Sequence, residues 1–194
     1  MVCLSVPHSF TPARVRVRGV TLIELMVTVA VAVILMSVAA PAMQSFVAAR
    51  AASGAADDLW QALRLARSES LKRLAPVTIC ATNDPNAASP NCHGSDWKSG
   101  WLIFVDNDRD VDVGAHEVVL RVGSPTSKVG GLAEDSATAA VTFEANGLAG
   151  GVMKFTVTPR VADTSSSTYT SNVRHVCVTV AGQIQVKKGS GNIC

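Results

Sequence analysis

The sequence lacks charged side chains over a long stretch near its start. Between Leu25 and Ala49 there is no Asp, Glu, Lys or Arg, and most residues of this stretch are apolar. Because a helix rises about 1.5 Å per residue, the stretch is long enough to cross a hydrocarbon core of roughly 30 Å. The sequence therefore predicts a transmembrane helix over residues 20–43.

The first nineteen residues lack acidic side chains and also lack an apolar core. Their arginines favour a cytoplasmic N-terminus, so that the later part of the chain is translocated; they are Arg14, Arg16 and Arg18. A secretory signal has a short apolar core of about 7–15 residues, whereas the stretch here runs longer. A secretory signal cut near Ala39 and an ordinary single-pass anchor are the less favoured alternatives.

The chain also lacks the sequence patterns of common catalytic sites. No HExxH, GxSxG or P-loop pattern occurs near His93, His116 or His175. We therefore predict that the protein is not an enzyme, has no catalytic residue and uses no cofactor.

The cysteines lack the CxxC spacing of zinc sites. If residues 1–19 are removed, Cys3 is lost and four cysteines remain, a number that suits disulfides in an oxidising compartment. Three pairings are possible, and proximity favours Cys80 with Cys92 and Cys177 with Cys194. The second bond would stabilise the C-terminal tail by roughly 3 kcal/mol in the loop-entropy model.

A basic surplus is absent once residues 1–19 are removed. Three of the 17 basic residues lie there, which leaves 14 basic residues against 15 acidic ones. The charges are unevenly placed, since residues 80–120 hold seven acids and two basic residues, and residues 160–194 hold four basic residues and one acid. The sequence predicts a polarised domain with a modestly basic C-terminal end.

One carboxylate, Glu24, stands at the start of the uncharged stretch. An ionised side chain costs about 2.5–3.5 kcal/mol near the centre of a bilayer unless a partner offsets it. A cut between Gly19 and Val20 would place a new α-amino group four residues from Glu24 on one helix face, in the same subunit or the next. The pattern indicates a processing and assembly signal.

This segment resembles the N-terminus of type IV prepilins and pseudopilins, through Gly19 and the run Thr21-Leu-Ile-Glu-Leu25 after a basic leader. The resemblance implies that prepilin peptidase cuts after Gly19 and methylates Val20, where an aromatic residue is commoner. It implies a leader at residues 1–19, an assembly helix at 20–43 that spans the inner membrane once, and a periplasmic pilin-like domain at 44–194.

The rest of the chain predicts an α+β fold. One long helix is expected from Val20 to about Ala75, interrupted at Pro41 and amphipathic after it. Beyond Pro76 the apolar period falls towards two, and strands are predicted at 77–80, 101–105, 118–122, 140–143, 152–157, 173–180 and 183–186. The antiparallel sheet should pack on the amphipathic half of the helix, with residues 162–172 as a hairpin tip.

Several later motifs resemble the GspH/FimT branch of minor pilins and pseudopilins. They are LRLARSESLKR at 63–73, WxxGWLIFVD at 97–106, DxGxxEVVLR at 112–121 and GxIxV at 182–186. The resemblance implies a type IV pilin-like fold and a structural subunit of a type IV pilus or a type II secretion pseudopilus. Its implied partners are other pilins through the N-terminal helix, prepilin peptidase, the inner-membrane assembly platform and the inner membrane.

A DNA-binding subunit is the alternative function. Some pilus-associated members capture DNA through tail arginines at two positions after the terminal glycine, but these positions hold Gln183 and Gln185 here. Nearby cations could still contact phosphates through charge alone; they are Arg160, Arg174, Lys187 and Lys188. The sequence favours an ordinary solvated tail.

An acidic loop follows the second predicted strand. Its acids occupy positions 1, 3, 5, 7 and 12 of a calcium-loop register; they are Asp106, Asp108, Asp110, Asp112 and Glu117. However, Val111 stands where the EF-hand turn requires Gly, and the flanking segments predict a hairpin. The sequence favours a solvated acidic turn, and we predict no metal site.

Overall fold

The computed structural model of the chain describes residues 19–94, 96–136, 139–189 and 194. The arginines and the cysteine of the predicted leader therefore lie outside the described residues. The chain divides into two compact units, Met1–Ala40 and Pro41–Cys194.

Helix α1 runs from Leu22 to Arg73. It continues through position 41, so the interruption predicted there is wrong. The physical reason is that the fixed φ of proline, about −65°, is itself helical, and only one backbone hydrogen bond is lost. Within the described part of the chain, no helix has both the length and the apolarity that crossing a bilayer requires.

The C-terminus of α1 is closed by its own backbone. Leu74 has a positive φ of 52°, and the Ala75 N–H donates to the Ser70 carbonyl at 3.4 Å. This is the bond of a helix end whose C′ residue is left-handed, a position usually taken by Gly. Pro76 follows, and proline is common just after such an end.

Two four-stranded antiparallel sheets follow the helix. The first contains β1 (Val77–Ala81), β2 (Trp101–Val105), β3 (Val119–Gly123) and β5 (Ala140–Phe143), in the order β3-β2-β1-β5. The second contains β4 (Val129–Glu134), β6 (Met153–Pro159), β7 (Arg174–Val178) and β8 (Ile184–Lys188), in the order β4-β6-β7-β8. Each predicted strand is present, with its ends shifted by up to two residues, and the antiparallel arrangement is confirmed.

Strand β4 was not predicted, because its sequence, VGGLAE, contains two glycines that lower strand propensity. The structure shows why one is there: a Cβ on Gly130 would lie 2.8 Å from the Pro159 carbonyl oxygen of the neighbouring strand. The register between β4 and β6 also shifts at this point. Gly130 therefore permits a close approach of two backbones at a bulge.

The connection between β6 and β7 is a hairpin, as predicted, but it carries a short helix, α2 (Ser167–Asn172). The Ser166 hydroxyl accepts a hydrogen bond from the Tyr169 N–H at 3.1 Å and caps this helix. The Ser/Thr-rich composition predicted a hairpin tip but did not predict the helix within it.

The core lies between the second half of α1 and the two sheets. Small and aliphatic helix residues are fully or almost fully buried in one cluster with residues of both sheets; on the helix these are Ala52, Ala56, Leu59, Leu63 and Ala66. Both β1 and β2 are buried along their whole length. Since the alanines are small, the helix backbone lies close to the strands, and the predicted packing of helix on sheet is confirmed.

Candidate assembly site

The predicted cleavage site lies in exposed, non-helical backbone. Gly19 and Val20 both precede α1, Val20 is 70% exposed, and no atom lies within 4 Å of a Cβ built on Gly19. The geometry leaves this peptide bond accessible.

Helix α1 begins with a cap formed by the motif itself. The Thr21 hydroxyl accepts a hydrogen bond from the Glu24 N–H at 3.3 Å, and the Thr21 carbonyl accepts one from the Leu25 N–H at 3.1 Å. Thr21 and Glu24 have the spacing of a capping box, T-x-x-E, which is a signal for a helix start that can be read from the sequence alone. Glu24 also stands in the first turn, where the helix dipole favours an acidic side chain.

The first part of α1 exposes apolar side chains on all sides. We call residues 22–36 the apolar segment. Its large side chains are 50–77% exposed, including neighbouring pairs such as Leu22 with Ile23 and Leu35 with Met36. Because neighbours on a helix point about 100° apart, this exposure is not confined to one stripe. A helix that is apolar all round is one that a larger assembly or a membrane covers.

The second part of α1, residues 48–73, is here called the packed segment. Beyond its buried face, polar side chains hold it to distant loops. The Arg67 guanidinium donates to the Gly147 carbonyl and to the Ala181 carbonyl, both at 3.0 Å. The Trp60 indole N–H donates to the Ile184 carbonyl at 3.2 Å, and the Arg64 guanidinium lies 4.5 Å above the Trp60 ring. These residues of the 63–73 motif and its surroundings thus hold the helix against the sheets.

Two disulfides link the four remaining cysteines. Cys80 pairs with Cys92, and Cys177 pairs with Cys194, with Cα atoms 5.4 and 5.6 Å apart. These are the pairings that sequence proximity favours. The first bond is buried with Leu102 and Phe104 in a small cluster of its own.

The cations considered for DNA contact are partly committed to backbone groups. Arg160 donates to the Ser127 carbonyl at 2.9 Å. Arg174 donates to the Val173 carbonyl at 3.1 Å, and burial lowers its pKa, an effect that the charge of Asp57 opposes. Register brings Arg174 opposite Lys188, and His175 opposite Lys187, on neighbouring strands. The register therefore places Arg174 and Lys188 on one face of the sheet and Lys187 on the other, while Arg160 contacts a different loop.

His93, His116 and His175 lie in three different surroundings. His175 is buried with its Nδ1 3.1 Å from the Thr156 hydroxyl. His93 lies 3.8 Å from an Asp112 carboxylate oxygen, and His116 is exposed. In the acidic loop, four of the five carboxylates converge, and Asp112 is the one outside the group.

Comparison with known proteins decides the family. The family described as type II transport protein GspH matches residues 55–183, well over half of the chain. The prokaryotic N-terminal methylation motif matches residues 14–40. The chain belongs to the GspH family.

The solved structures similar to this GspH-family chain include two crystal forms of the type IV minor pilin FimU from Pseudomonas aeruginosa PAO1. One is 23% identical with a TM-score of 0.51, over 70% of this chain and 91% of FimU. The other is 24% identical with a TM-score of 0.50, over 70% of this chain and 87% of FimU. At this identity the likeness supports the α+β pilin-like fold. No curated protein matches the chain significantly.

The GspH match and the methylation motif confirm the resemblance found in the sequence, that of a pilin or pseudopilin of the GspH branch. This family is one of structural subunits. The alternative of a DNA-binding subunit gains no support from these matches. Positions 183 and 185 hold glutamines, and Arg160 and Arg174 donate hydrogen bonds to backbone carbonyls.

Proposed function

We propose that the protein is a processed minor subunit of a type IV pilus or a type II secretion pseudopilus. Prepilin peptidase cuts between Gly19 and Val20 and methylates the new N-terminus at Val20. Residues 20–43 anchor the subunit in the inner membrane by a single pass before assembly, and residues 44–194 form its periplasmic domain. The assembly platform then moves the subunit into the filament.

The observation that carries this proposal is the all-round exposure of the apolar segment. Leu22 is 77% exposed and Met36 68% exposed, although burying one such side chain stabilises a protein by about 1.5–3 kcal/mol. A bilayer covers this surface before assembly, and the helices of neighbouring pilins cover it in the filament. The matched methylation motif at residues 14–40 supports the processing step.

Glu24 has a specific part in this scheme. Cleavage creates an ammonium group at Val20, next to the capped first turn that contains Glu24. The attraction between this ammonium group and the Glu24 carboxylate offsets the cost of removing both charges from water as the helix enters an apolar filament core. In the filament the ammonium comes from the same subunit or from its neighbour.

The experiment compares Glu24→Ala with Glu69→Ala, two acids of the same helix. Glu24→Ala should leave cleavage intact, as shown by mass spectrometry of a methylated Val20 N-terminus, but should abolish recovery of the subunit in sheared filaments. Glu69→Ala should be cleaved and incorporated normally, because Glu69 pairs with Lys72 and Arg73 within its own chain. Wild-type incorporation of Glu24→Ala would overturn the pairing, and an uncleaved N-terminus in the native protein would overturn the processing step.

A further inference from the structure

The loop between β2 and β3 brings four carboxylates together. One oxygen from each of Asp106, Asp108, Asp110 and Glu117 lies within 4.8 Å of the others. Like charges at this spacing repel one another, so the arrangement costs free energy unless a cation offsets it. An exposed acidic cluster alone could be spread apart by solvent, but one member of this group is not exposed.

Asp106 is the buried member. It is 0% exposed and sits directly after β2. Its Oδ2 accepts a hydrogen bond from the Thr78 hydroxyl at 2.6 Å. Its Oδ1 is buried and has no hydrogen-bond partner among the described residues. A buried carboxylate oxygen without a donor is costly, since even a neutral polar group left unpaired costs about 1–3 kcal/mol.

Arg109, the arginine of this loop, is paired with an acid outside the cluster. The Arg109 guanidinium donates to Glu144 at 2.9 Å. Arg109 therefore supplies one positive charge against five carboxylates, the four of the cluster and that of Glu144.

One of the two objections raised by the sequence, the valine at position 111, does not hold, although the loop does join two strands. An EF-hand loop needs Gly at its sixth position because the chain turns sharply there. Val111 occupies that position, and it adopts the left-handed conformation with φ of 63°. The backbone therefore makes the required turn without the glycine, although such a conformation is strained for a β-branched side chain.

We propose that this loop is a calcium site, with Asp106, Asp108, Asp110 and Glu117 as carboxylate ligands. Oxygen-only ligands of high charge suit Ca²⁺, which tolerates irregular geometry, better than Mg²⁺, which demands a near-octahedral shell. The bound ion joins the end of β2 to the chain just before β3, because its ligands Asp106 and Glu117 lie at the two ends of the loop. Glu117 also accepts the Asn107 N–H at 2.8 Å and the Gly114 N–H at 3.0 Å. The ion thereby holds the loop close to Asp106, whose carboxylate accepts the hydrogen bond of the Thr78 hydroxyl.

The test titrates the full chain, purified in detergent and stripped with EGTA, with CaCl₂ and separately with MgCl₂. Calorimetry should show one saturable calcium site with a dissociation constant of about 10⁻⁵–10⁻³ M. At a hundredfold excess over that constant, the thermal midpoint should rise by about 5–10 °C. MgCl₂ should bind at least about tenfold more weakly.

The variants are Asp108→Asn and Asp110→Asn, which change exposed ligands and leave Asp106 and its core contact intact. Each should weaken calcium binding at least about tenfold. Neither should lower the thermal midpoint of the calcium-free protein in EGTA, because each removes one of the carboxylates that repel one another. The matched control is Asp84→Asn, since Asp84 is also exposed and also accepts a backbone N–H two residues on, at 3.1 Å. Its calcium response should be that of the unmodified chain.

Three results would overturn the assignment. The first is the absence of saturable binding heat and of any shift in the thermal midpoint up to about 10 mM CaCl₂. Any calcium binding would then be weaker than that of the weakest natural class of site. The second is an unchanged response in Asp108→Asn and Asp110→Asn. The third is an equal response to MgCl₂, which would exclude calcium as the specific ligand.

Discussion

The two segments of helix α1 have opposite surroundings. In the packed segment, Leu63 is 0% exposed and Ala52 is 0% exposed, whereas in the apolar segment Leu35 is 64% exposed. Both segments are helical, so the difference is not one of secondary structure. The packed segment therefore stabilises its own domain, whereas under the proposed function the apolar segment is covered by a membrane or by neighbouring subunits.

The largest expected effect separates these two roles with one substitution in each segment. Leu63→Ala should lower the free energy of unfolding by about 2–5 kcal/mol, because it leaves a cavity in the core. Leu35→Ala should change it by less than about 0.5 kcal/mol. Unfolding of the full chain in detergent, followed by tryptophan fluorescence, measures both, since all three tryptophans lie after Pro41. Equal losses in the two variants would mean that the segments do not differ in this way.

The next effect tests whether the disulfide between Cys177 and Cys194 stabilises only the unit that contains the packed segment, Pro41–Cys194. Replacing Cys177 and Cys194 together by Ser should destabilise that domain by about 3 kcal/mol, since the bond closes a loop with a sequence separation of 17 residues. Cleavage at Gly19 and filament recovery at low temperature should be unaffected. A thermal midpoint equal to that of the wild type would show that the bond contributes nothing to stability.

Two glycine substitutions, at Gly182 and at Gly54, test the close contacts of the packed segment. Gly182 has a φ of 72°, and a Cβ there would lie 2.2 Å from the Gly147 carbonyl oxygen and 2.7 Å from Arg67 Nε. Gly182→Ala should therefore destabilise the domain by about 1–3 kcal/mol through strain and the loss of the Arg67 hydrogen bonds.

The matched control is Gly54→Ala in the same segment. Gly54 lies inside α1, and a Cβ added there would have no neighbouring atom within 4 Å. This change should stabilise the domain by about 0.5–1 kcal/mol, because alanine is the better helix former. Denaturant midpoints of the two variants should move in opposite directions, and a shift of the same sign in both would contradict the close approach at Gly182.

The smallest effect concerns the ion pairs at the end of the packed segment. Hydrogen bonds from Lys72 and Arg73 lower the pKa of Glu69 below its ordinary value, against a smaller opposing effect of burial. The carboxylate therefore stabilises the fold above its unfolded pKa of about 4.3, and this stability is lost as the pH falls through the lower folded value.

Glu69→Gln should accordingly reduce the free energy of unfolding by about 0.3–0.5 kcal/mol at pH 7. The difference from the wild type should narrow as the pH is lowered from about 5 to 3. Chemical denaturation at several pH values measures it, with Lys72→Gln as the control for the other partner. A difference that stays constant over this range would exclude the ion pairs as its cause.

Much of the fold was predictable because its signals are local. Runs such as Trp101–Val105 lie between turn residues and form strands, and the short spacing from Cys80 to Cys92 favoured the observed bond. The motif from Gly19 to Leu25 carries its own start signal for α1. Strand β4 was not predicted because Gly130 lowers strand propensity, and it is needed for a close contact with Pro159, which is distant in the sequence.

The site was less predictable, since it depends on long-range contacts and backbone conformation. Nothing near Arg67 in the sequence shows that it donates to the carbonyls of Gly147 and Ala181. The register of the acidic loop was visible, but the positive φ of Val111 and the burial of Asp106 were not. Exposure of the apolar segment, in contrast, followed directly from its composition.

Strand β8 ends its sheet and, among the described residues, pairs with β7 alone. The outer backbone groups of such an end strand are a template on which an extended segment of another molecule can add and begin an aggregate. Lys187 and Lys188 lie on this strand, and lysine at a sheet border discourages such addition, because two copies would bring like charges together. In a subunit that assembles with other pilins, this repulsion would oppose edge-to-edge pairing of the sheets of two copies.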